Sequence, residues 1–464
     1  DAYQLAPLRQ ALMLPRVNLF IADDVGLGKT IEAGLIASEL LLRRRVRDIV
    51  VSCPPSMLGQ WKDEMESRFG LTFEILNREY IERVRRDRGY GVNPWTTFPR
   101  FLVSHRLLID EFYVAPLRDW LKNLRPGSLF IFDEAHHAAP SSGSKYAIDS
   151  RTTKAIRDLA PRFEHRLFLS ATPHNGHSNS FSALLELLDP QRFTRGLKVL
   201  KSNLDSVMTR RLKSDIRELV GGFPKRNVIQ VDLSGLPEDS AELVLPALLD
   251  EYAEIRERRV KGATKRKQAQ AKLIISHLQQ RLLSSVEAFA KTIAVHRRSM
   301  ERVWASDLEA IERTMSLDLL SGKLDRDDDR SLLSEEEVAQ IEADEVDQIT
   351  RATAGDKQNA AVDDEKRLLD AMAAAADESR SLPDAKVKCV VEWIRENMCA
   401  GAKLPGESAN AGDSSWQDTR LLIFTEWDDT KRYLHQHLRE AIARTDDAER
   451  RIMIFHGPTP PEKR

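Results

Sequence analysis

A glycine-rich turn near the start of the chain has the residue types needed to hold a triphosphate. Gly26 and Gly28 lack side chains, so backbone N–H groups can approach phosphate oxygens closely. Lys29 can reach the β and γ phosphates, and the hydroxyl of Thr30 can hold magnesium. The full phosphate-loop pattern has a further glycine where this chain has Asp23, so the turn alone leaves open an ordinary loop that enters a helix.

Two adjacent carboxylates follow an apolar run later in the chain. Asp133 and Glu134 come directly after residues 128–132, and open α/β sheets place ligand sites at the carboxyl ends of their strands. We expect Asp133 to hold magnesium through water and Glu134 to orient or deprotonate an attacking water. A solvated acidic strand end is the simpler alternative, but its pairing with the Lys29 turn favours catalytic roles for Lys29, Asp133 and Glu134.

A third segment combines small and hydroxyl side chains after another apolar run. Residues 170–173 read Ser-Ala-Thr-Pro, which by itself is an ordinary turn. Together with the two motifs above, Ser170 and Thr172 are placed to sense the γ phosphate. We therefore predict that they couple nucleotide state to the rest of the protein.

The residues around these motifs predict a mostly parallel sheet covered by helices. Apolar runs typical of buried strands alternate with helix-like stretches. These runs occupy residues 17–22, 49–52, 101–104, 129–132 and 167–170. The motifs fall just past the ends of such runs, so we predict an α/β fold with a doubly wound parallel sheet.

The order of the three motifs resembles that of superfamily 2 helicases. Residues 23–30 are similar to the phosphate loop of the Swi/Snf-type branch, the translocases that move on duplex DNA, which accounts for Asp23 in place of glycine. The resemblance implies two RecA-like lobes, with ATP and Mg²⁺ as cofactors and double-stranded DNA as partner. It implies ATP contacts for Gln4, Asp24, Gly26, Leu27, Gly28, Lys29 and Thr30, with Gln4 at adenine and with magnesium at Thr30 and Asp133.

Further segments carry the same resemblance through most of residues 1–230. They are 54–61 with Glu64, 172–176, 184–190, 210–213 and 223–225. Residues 277–285 resemble a helical segment that lies between the lobes of bacterial Swi/Snf-type proteins, and 421–426 resemble the motif that opens the second lobe. His456 and Gly457 resemble a later turn of that lobe.

Composition sets wider limits. The 464 residues suggest roughly three domains. The net charge of −2 does not exclude a nucleic-acid motor, because only the binding face must be basic. Basic runs occur at 43–47, 83–88 and 256–272; the first two fit solvated helix faces, and the third could contact phosphates.

Cysteine content and hydropathy predict a location. The three cysteines, Cys53, Cys389 and Cys399, lack metal-site spacing, which favours a reduced interior without disulfides. No apolar run is long enough to span a membrane and no signal segment is visible, so we expect a cytoplasmic protein with no membrane partner. The resemblance to bacterial Swi/Snf-type proteins implies a bacterial source.

The resemblance, together with shifts in composition, divides the chain into four predicted domains. Residues 1–235 form the first RecA-like lobe, 236–324 a helical insertion, 325–380 an acidic and partly mobile linker, and 381–464 the start of a truncated second lobe. The linker could mimic DNA and block the binding groove, or it could simply be solvated.

The second lobe is predicted from alternating elements. Residues 386–397 and 428–441 resemble helices, and 421–424 and 452–455 resemble strands. Outside this lobe, residues 227–233 could form one more strand. The family's later motifs, which supply arginine fingers, are not in this sequence. Because such an arginine is worth about a thousandfold in rate, we expect this chain to bind ATP but hydrolyse it poorly.

The resemblance also bears on the biological role. The resemblance is strongest to the Swi/Snf-like helicases of DISARM-type anti-phage systems, which implies possible methyltransferase and nuclease partners. A bacterial ATPase that recycles stalled RNA polymerase is the alternative enzyme. An ATP-switched DNA-binding scaffold that recruits a nuclease or methyltransferase is the alternative from another class.

Overall fold

The computed structural model separates the chain into two compact units. The first comprises Asp1–Arg226 and the second Asn227–Arg464. The residues described are 2–139, 150–173, 178–220, 227–230, 235–305, 335–353, 361–407 and 413–455. The predicted motif residues 174–176, 223–225, His456 and Gly457 lie outside these ranges, as does the second half of the strand predicted at 227–233.

The first unit is built on a parallel sheet of seven strands. They are β1 Asn18–Ile21, β2 Asp48–Cys53, β3 Glu74–Ile75, β4 Arg100–Ser104, β5 Arg125–Phe132, β6 Phe163–Leu169 and β7 Met208–Thr209. Their order is β3-β4-β2-β5-β6-β1-β7, and every pairing is parallel. The predicted α/β fold class is confirmed, and all five predicted strands of this unit are present.

Helices cover both faces of this sheet. They are α1 Leu5–Met13, α2 Lys29–Leu42, α3 Leu58–Phe69, α4 Arg78–Arg88, α5 Glu111–Leu121, α6 Arg151–Leu159, α7 Ser178–Leu188, α8 Lys201–Val207 and α9 Lys213–Val220. Alternate strand residues enter opposite cores: Phe130 and Phe132 pack with α4–α8, whereas Leu129 and Ile131 pack with α1–α3. This two-sided burial explains why the strands are almost wholly apolar in sequence.

The second unit is helical among its described residues. Its helices are α10 Ala241–Val260, α11 Lys265–Ser284, α12 Val286–Ala305, α13 Glu335–Thr353, α14 Ala361–Ser379, α15 Ala385–Asn397, α16 Asp428–Ile442 and α17 Ala448–Arg451. One core joins α10, α11, α12 and α14 through residues such as Tyr252, Phe289 and Leu369. A smaller core joins α15 to α16 through Val391 and Tyr433.

The acidic range differs from its prediction as a partly mobile linker. Its described parts form α13 and α14, because an apolar stripe of Leu368, Leu369 and Met372 packs into the helical core. One of its acidic residues, Glu365, is fully buried and contacts Arg256 and Arg259 of α10. The prediction that the basic run 256–272 contacts phosphates is therefore wrong for Arg256, which is 1% exposed.

The two strands predicted for the second lobe are not formed. Residues 421–424 and 452–455 carry no regular structure, and Leu422 and Phe424 are exposed. A strand requires a neighbour to satisfy its backbone groups, and the part of the second unit that the structure describes contains no strand. The predicted helices are present as α15 and α16. Within the described ranges, no helix combines the length and apolar character needed to cross a bilayer.

Candidate nucleotide site

Parallel pairing brings the three predicted motifs to one edge of the sheet. The loop 22–28 follows β1, Asp133 follows β5 and Ser170 follows β6, which lies between those two strands. Two hydrogen bonds extend the sheet into the motifs: Asp133 N donates to Ser52 O at 2.9 Å, and Ser170 N donates to Ile21 O at 3.1 Å. The carboxyl edge of such a sheet is where ligands bind in open α/β folds.

The glycines of the loop occupy conformations that favour glycine. Gly26 and Gly28 have φ of 77° and 90°, and α2 begins at the next residue, Lys29. A Cβ on Gly28 would come within 2.5 Å of Gln4 Nε2, so a side chain there would strain the backbone and displace the end of Gln4. The positive end of α2 therefore lies beside a backbone free of side chains, which is suited to an anion.

Gln4 and its neighbour hold the loop from the amino-terminal side. Gln4 Nε2 donates to Leu27 O at 3.2 Å, and the Tyr3 hydroxyl donates to the same oxygen at 3.3 Å. Asp24 closes the turn by accepting from Val25 N at 2.8 Å. Gln4 thus lies against the loop, and its recognition of adenine stays a prediction.

Asp133 is a buried carboxylate with two protein donors. It is 6% exposed; Oδ2 accepts from Trp61 Nε1 at 2.8 Å, and Oδ1 accepts from Glu134 N at 2.9 Å. Burial raises its pKa, whereas the Trp61 hydrogen bond and the Lys29 ammonium act to lower it. The Trp61 contact was not predicted, although the sequence segment containing this tryptophan was singled out.

Glu134 belongs to a polar chain that reaches the third motif. His136 Nδ1 lies 3.3 Å from Glu134 Oε2 and 3.0 Å from Ser170 Oγ. Ser170 Oγ also accepts from Thr172 N at 3.1 Å. The His136 hydrogen bond is the main cause that lowers the pKa of Glu134, and Lys29 contributes in the same direction. No role for His136 was predicted from the sequence.

The Lys29 ammonium lies near enough to Asp133 and Glu134 to act on the pKa of both carboxyl groups, so the two motifs are neighbours at this sheet edge. The Lys29 ammonium also donates to Asp23 O at 3.2 Å, which holds it against the start of the loop. Thr30, in the first turn of α2, is half-buried. The hydroxyl of Thr30 and the carboxylate of Asp133 are hard oxygen donors, the type that Mg²⁺ takes while keeping several waters.

Comparisons with known proteins agree with these motifs. The curated relatives include RNA polymerase-associated protein RapA of Yersinia enterocolitica, 38% identical over 181 residues, an alignment covering 39% of this chain and 17% of the relative. RapA of Yersinia pestis (strain Pestoides F) is 37% identical with the same coverage. The aligned part of the chain thus spans about a sixth of the length of these relatives.

Solved structures with a similar chain path have low overall similarity. The Sulfolobus solfataricus SWI2/SNF2 ATPase core in complex with dsDNA has a TM-score of 0.36 and 19% identity, covering 65% of this chain and 63% of that one. The Pyrococcus furiosus Hef helicase domain has a TM-score of 0.40 and 15% identity, covering 85% and 72%.

A family model described as the SNF2-related domain matches residues 3–239. The matched range contains the loop, the Asp133–Glu134 pair and Ser170. Because it also covers more than half of the 464 residues, the chain belongs to the SNF2-related family.

Proposed function

We propose that the protein is an ATP-dependent motor that acts on double-stranded DNA. The observation that carries this proposal is the meeting of the Gly26–Thr30 loop, the Asp133–Glu134 pair and Ser170 at one sheet edge, with Lys29 acting on both carboxylates. Membership of the SNF2-related family supports ATP as the nucleotide. The resemblance to duplex translocases supports DNA as the partner.

Each site residue has a role that its position supports. Backbone N–H groups from Gly26 to Lys29 bind phosphate oxygens, and the Lys29 ammonium neutralises their charge. Thr30 and Asp133 would hold Mg²⁺, which supplies charge neutralisation at the phosphates when bound. Trp61 orients Asp133 through its indole N–H.

Hydrolysis depends on Glu134 and its neighbours. Glu134 remains ionised because its pKa is lowered, so it can accept a proton from, or orient, the attacking water. His136 and Ser170 link this carboxylate to the segment that carries Thr172. This link is the route by which nucleotide state could reach the rest of the protein.

A role at RNA polymerase is the second candidate, and the similarity to RapA favours it. The aligned relatives are named RNA polymerase-associated, but the chain spans only a small part of them. The anti-phage role, with nuclease or methyltransferase partners, rests on the sequence resemblance alone and stays a prediction. So do the bacterial cytoplasmic location and the ATP-switched scaffold.

ATP binding by the full chain tests the proposal most directly. We expect Lys29→Ala to weaken binding of a fluorescent ATP analogue by about 100-fold, since charge-assisted hydrogen bonds contribute ~1.5–3 kcal/mol each. Glu134→Gln should retain binding and lose turnover. The control is Lys201→Ala, an exposed lysine of the same unit. Equal affinity of Lys29→Ala and wild type would overturn the proposal.

A second experiment addresses the motor and its partner. ATP turnover is measured alone, with duplex DNA and with RNA polymerase, and triplex displacement is followed on the duplex. Displacement that requires ATP and Glu134 identifies a translocase. ATP-dependent DNA binding without displacement identifies the scaffold, and stimulation by polymerase alone favours the second candidate.

A further inference from the structure

Two consecutive arginines after β7 differ sharply in their surroundings. Arg210 is exposed, whereas the side chain of Arg211 is 15% exposed and enters the first unit. The sequence segment 210–213 was singled out for its family resemblance, but no site role followed from it. Because Arg211 packs against the nucleotide loop, its contacts indicate a role at that site.

On one side, the guanidinium of Arg211 lies between two buried carboxyl groups. Its Nη2 donates to Asp23 Oδ2 and to Glu32 Oε1, and its backbone N donates to Asp23 Oδ1 at 2.9 Å. Asp23 and Glu32 are both fully buried. Burial and the neighbouring Asp23 raise the pKa of Glu32 to about 8, so at neutral pH the two groups share mainly one negative charge, which the single charge of Arg211 balances. The planar fork of arginine can reach both groups at once.

On the other side, Arg211 contacts the segment that carries the predicted adenine-reading glutamine. Its Nη1 donates to Tyr3 O, and its guanidinium carbon lies 5.4 Å from the centre of the Tyr3 ring. The Tyr3 hydroxyl in turn donates to Leu27 O, the same oxygen that Gln4 contacts. Arg211 therefore touches the segment that braces the end of the loop.

Backbone contacts complete the support. Asp24 N donates to Arg211 O at 3.0 Å, and Lys213 N donates to Asp24 Oδ2 at 3.4 Å. The loop start, the first turns of α2 and the Tyr3 segment are thus held by one residue. These are the parts whose geometry sets where the phosphate-binding N–H groups point.

We propose that Arg211 is a positioning residue that preorganises the nucleotide loop for phosphate binding. This inference rests on the proposed function of that loop. A loop fixed before the ligand arrives loses less entropy on binding, so preorganisation appears as affinity. Arg211 touches no reacting atom in this role; it acts through Asp23, Glu32 and Tyr3.

The test compares Arg211→Gln and Arg211→Lys with the matched control Arg210→Gln in the full chain. We expect Arg211→Gln to weaken binding of a fluorescent ATP analogue by about 10- to 100-fold. Arg211→Lys keeps the charge but not the fork, so we expect a smaller loss of about 3- to 10-fold. Arg210→Gln should bind like wild type.

A purely structural role would lower the melting temperature without changing the affinity of the folded protein, so both are measured. If Arg211→Gln does not fold, Arg211→Lys decides. Wild-type affinity in the folded Arg211 variants, while Lys29→Ala loses binding, overturns this inference alone. Failure of wild type to bind ATP, or equal binding by Lys29→Ala, overturns the proposed function as well.

Discussion

Each unit contains a nearly buried arginine that joins distant segments of the chain, but the two arginines have different neighbours. Arg211 bridges Asp23 and Glu32 beside the nucleotide loop. In the second unit, Arg281 of α11 is 4% exposed along its side chain and donates to Asp429 of α16. Arg281 also donates to Thr292 Oγ1 at 2.9 Å.

The contacts around Arg281 join helices. Its guanidinium carbon lies 4.5 Å from the centre of the Trp427 ring, and the hydroxyls of Ser284 and Ser285 lie 2.6 and 2.9 Å from Thr430 Oγ1. The segment 277–285, noted in the sequence for its resemblance, therefore docks α11 against the start of α16. A buried arginine–carboxylate pair supports the nucleotide loop in the first unit and joins two helices in the second. The function of such a pair therefore depends on the backbone segments that it connects.

The largest effect that would test this contrast is expected from Arg281→Met. Removing the arginine leaves Asp429 buried with Lys291, 2.7 Å from Oδ1, as its main remaining cation. We expect a loss of about 3 kcal/mol in the free energy of unfolding, because breaking a buried pair strands a charge. Urea denaturation followed by tryptophan fluorescence measures it, and affinity for the ATP analogue should stay within about twofold.

The control for that variant removes both charges. Arg281→Met combined with Asp429→Leu should recover part of the lost stability, since the Asp429 carboxylate is no longer stranded. The recovery should be incomplete because Glu342, whose Oε2 lies 3.5 Å from Arg281 Nη1, also loses a partner. A change below about 1 kcal/mol in the single variant would show that Arg281 contributes little to helix docking, and the contrast with Arg211 would fail.

The next largest effect is a loss of stability at low pH caused by a buried histidine in the second unit. His296 is fully buried between the hydroxyls of Tyr252 and Thr350, each 2.7 Å from a ring nitrogen. Burial, with a smaller contribution from Arg256, lowers its pKa to about 3. The unfolded chain takes up a proton below pH ~6.5 while the folded chain does not, so stability falls as pH falls.

The expected loss between pH 7 and pH 5 is about 2 kcal/mol from this group. Urea denaturation at both pH values measures it, with His296→Gln as the comparison. The glutamine variant should be less stable at pH 7 yet lose less on acidification. Equal losses in both proteins would show that His296 is not the group responsible.

Features of the fold that depend on a local sequence pattern were predictable. Gly26, Gly28 and Lys29 were identified because a phosphate loop is built from consecutive residues, and the apolar runs defined five strands. The two-residue strands β3 and β7 were too short to leave a pattern. Residues 421–424 have a strand-like composition, but a strand also depends on a partner that composition does not reveal.

Contacts between residues far apart in the chain could not be predicted from the sequence. Arg211 meets Asp23 across 188 residues, and no spacing rule connects them. The acidic range was misjudged because charge content hid the apolar stripe of α14, whose Glu365 is buried against arginines of α10. Candidate site residues could be named where a motif supplies them, whereas the contacts that Arg211 and Trp61 make with distant segments have no motif.

A smaller effect is expected from Ser170→Ala in the first unit. This change removes the hydroxyl that joins His136 to the third motif, 3.0 Å from its Nδ1. We expect ATP turnover to fall by about tenfold with affinity unchanged, since one neutral hydrogen bond contributes about 1 kcal/mol. Ser202→Ala is the matched control, because Ser202 is an exposed hydroxyl residue of α8 with no place in the site. Equal turnover in Ser170→Ala and wild type would show that this hydroxyl does not support hydrolysis.

The smallest effect should come from an ion pair in the first unit that lies in solvent. Arg78 and Glu82 of α4 are 2.9 Å apart, with side chains 83% and 55% exposed. Water already solvates both charges, so Arg78→Ala should change the free energy of unfolding by less than about 0.5 kcal/mol. Urea denaturation in low and high salt measures this change, and salt should reduce it further. A loss of unfolding free energy similar to that of Arg281→Met would mean that burial does not determine how much an ion pair contributes to stability. The reasoning applied to both buried arginines would then be wrong.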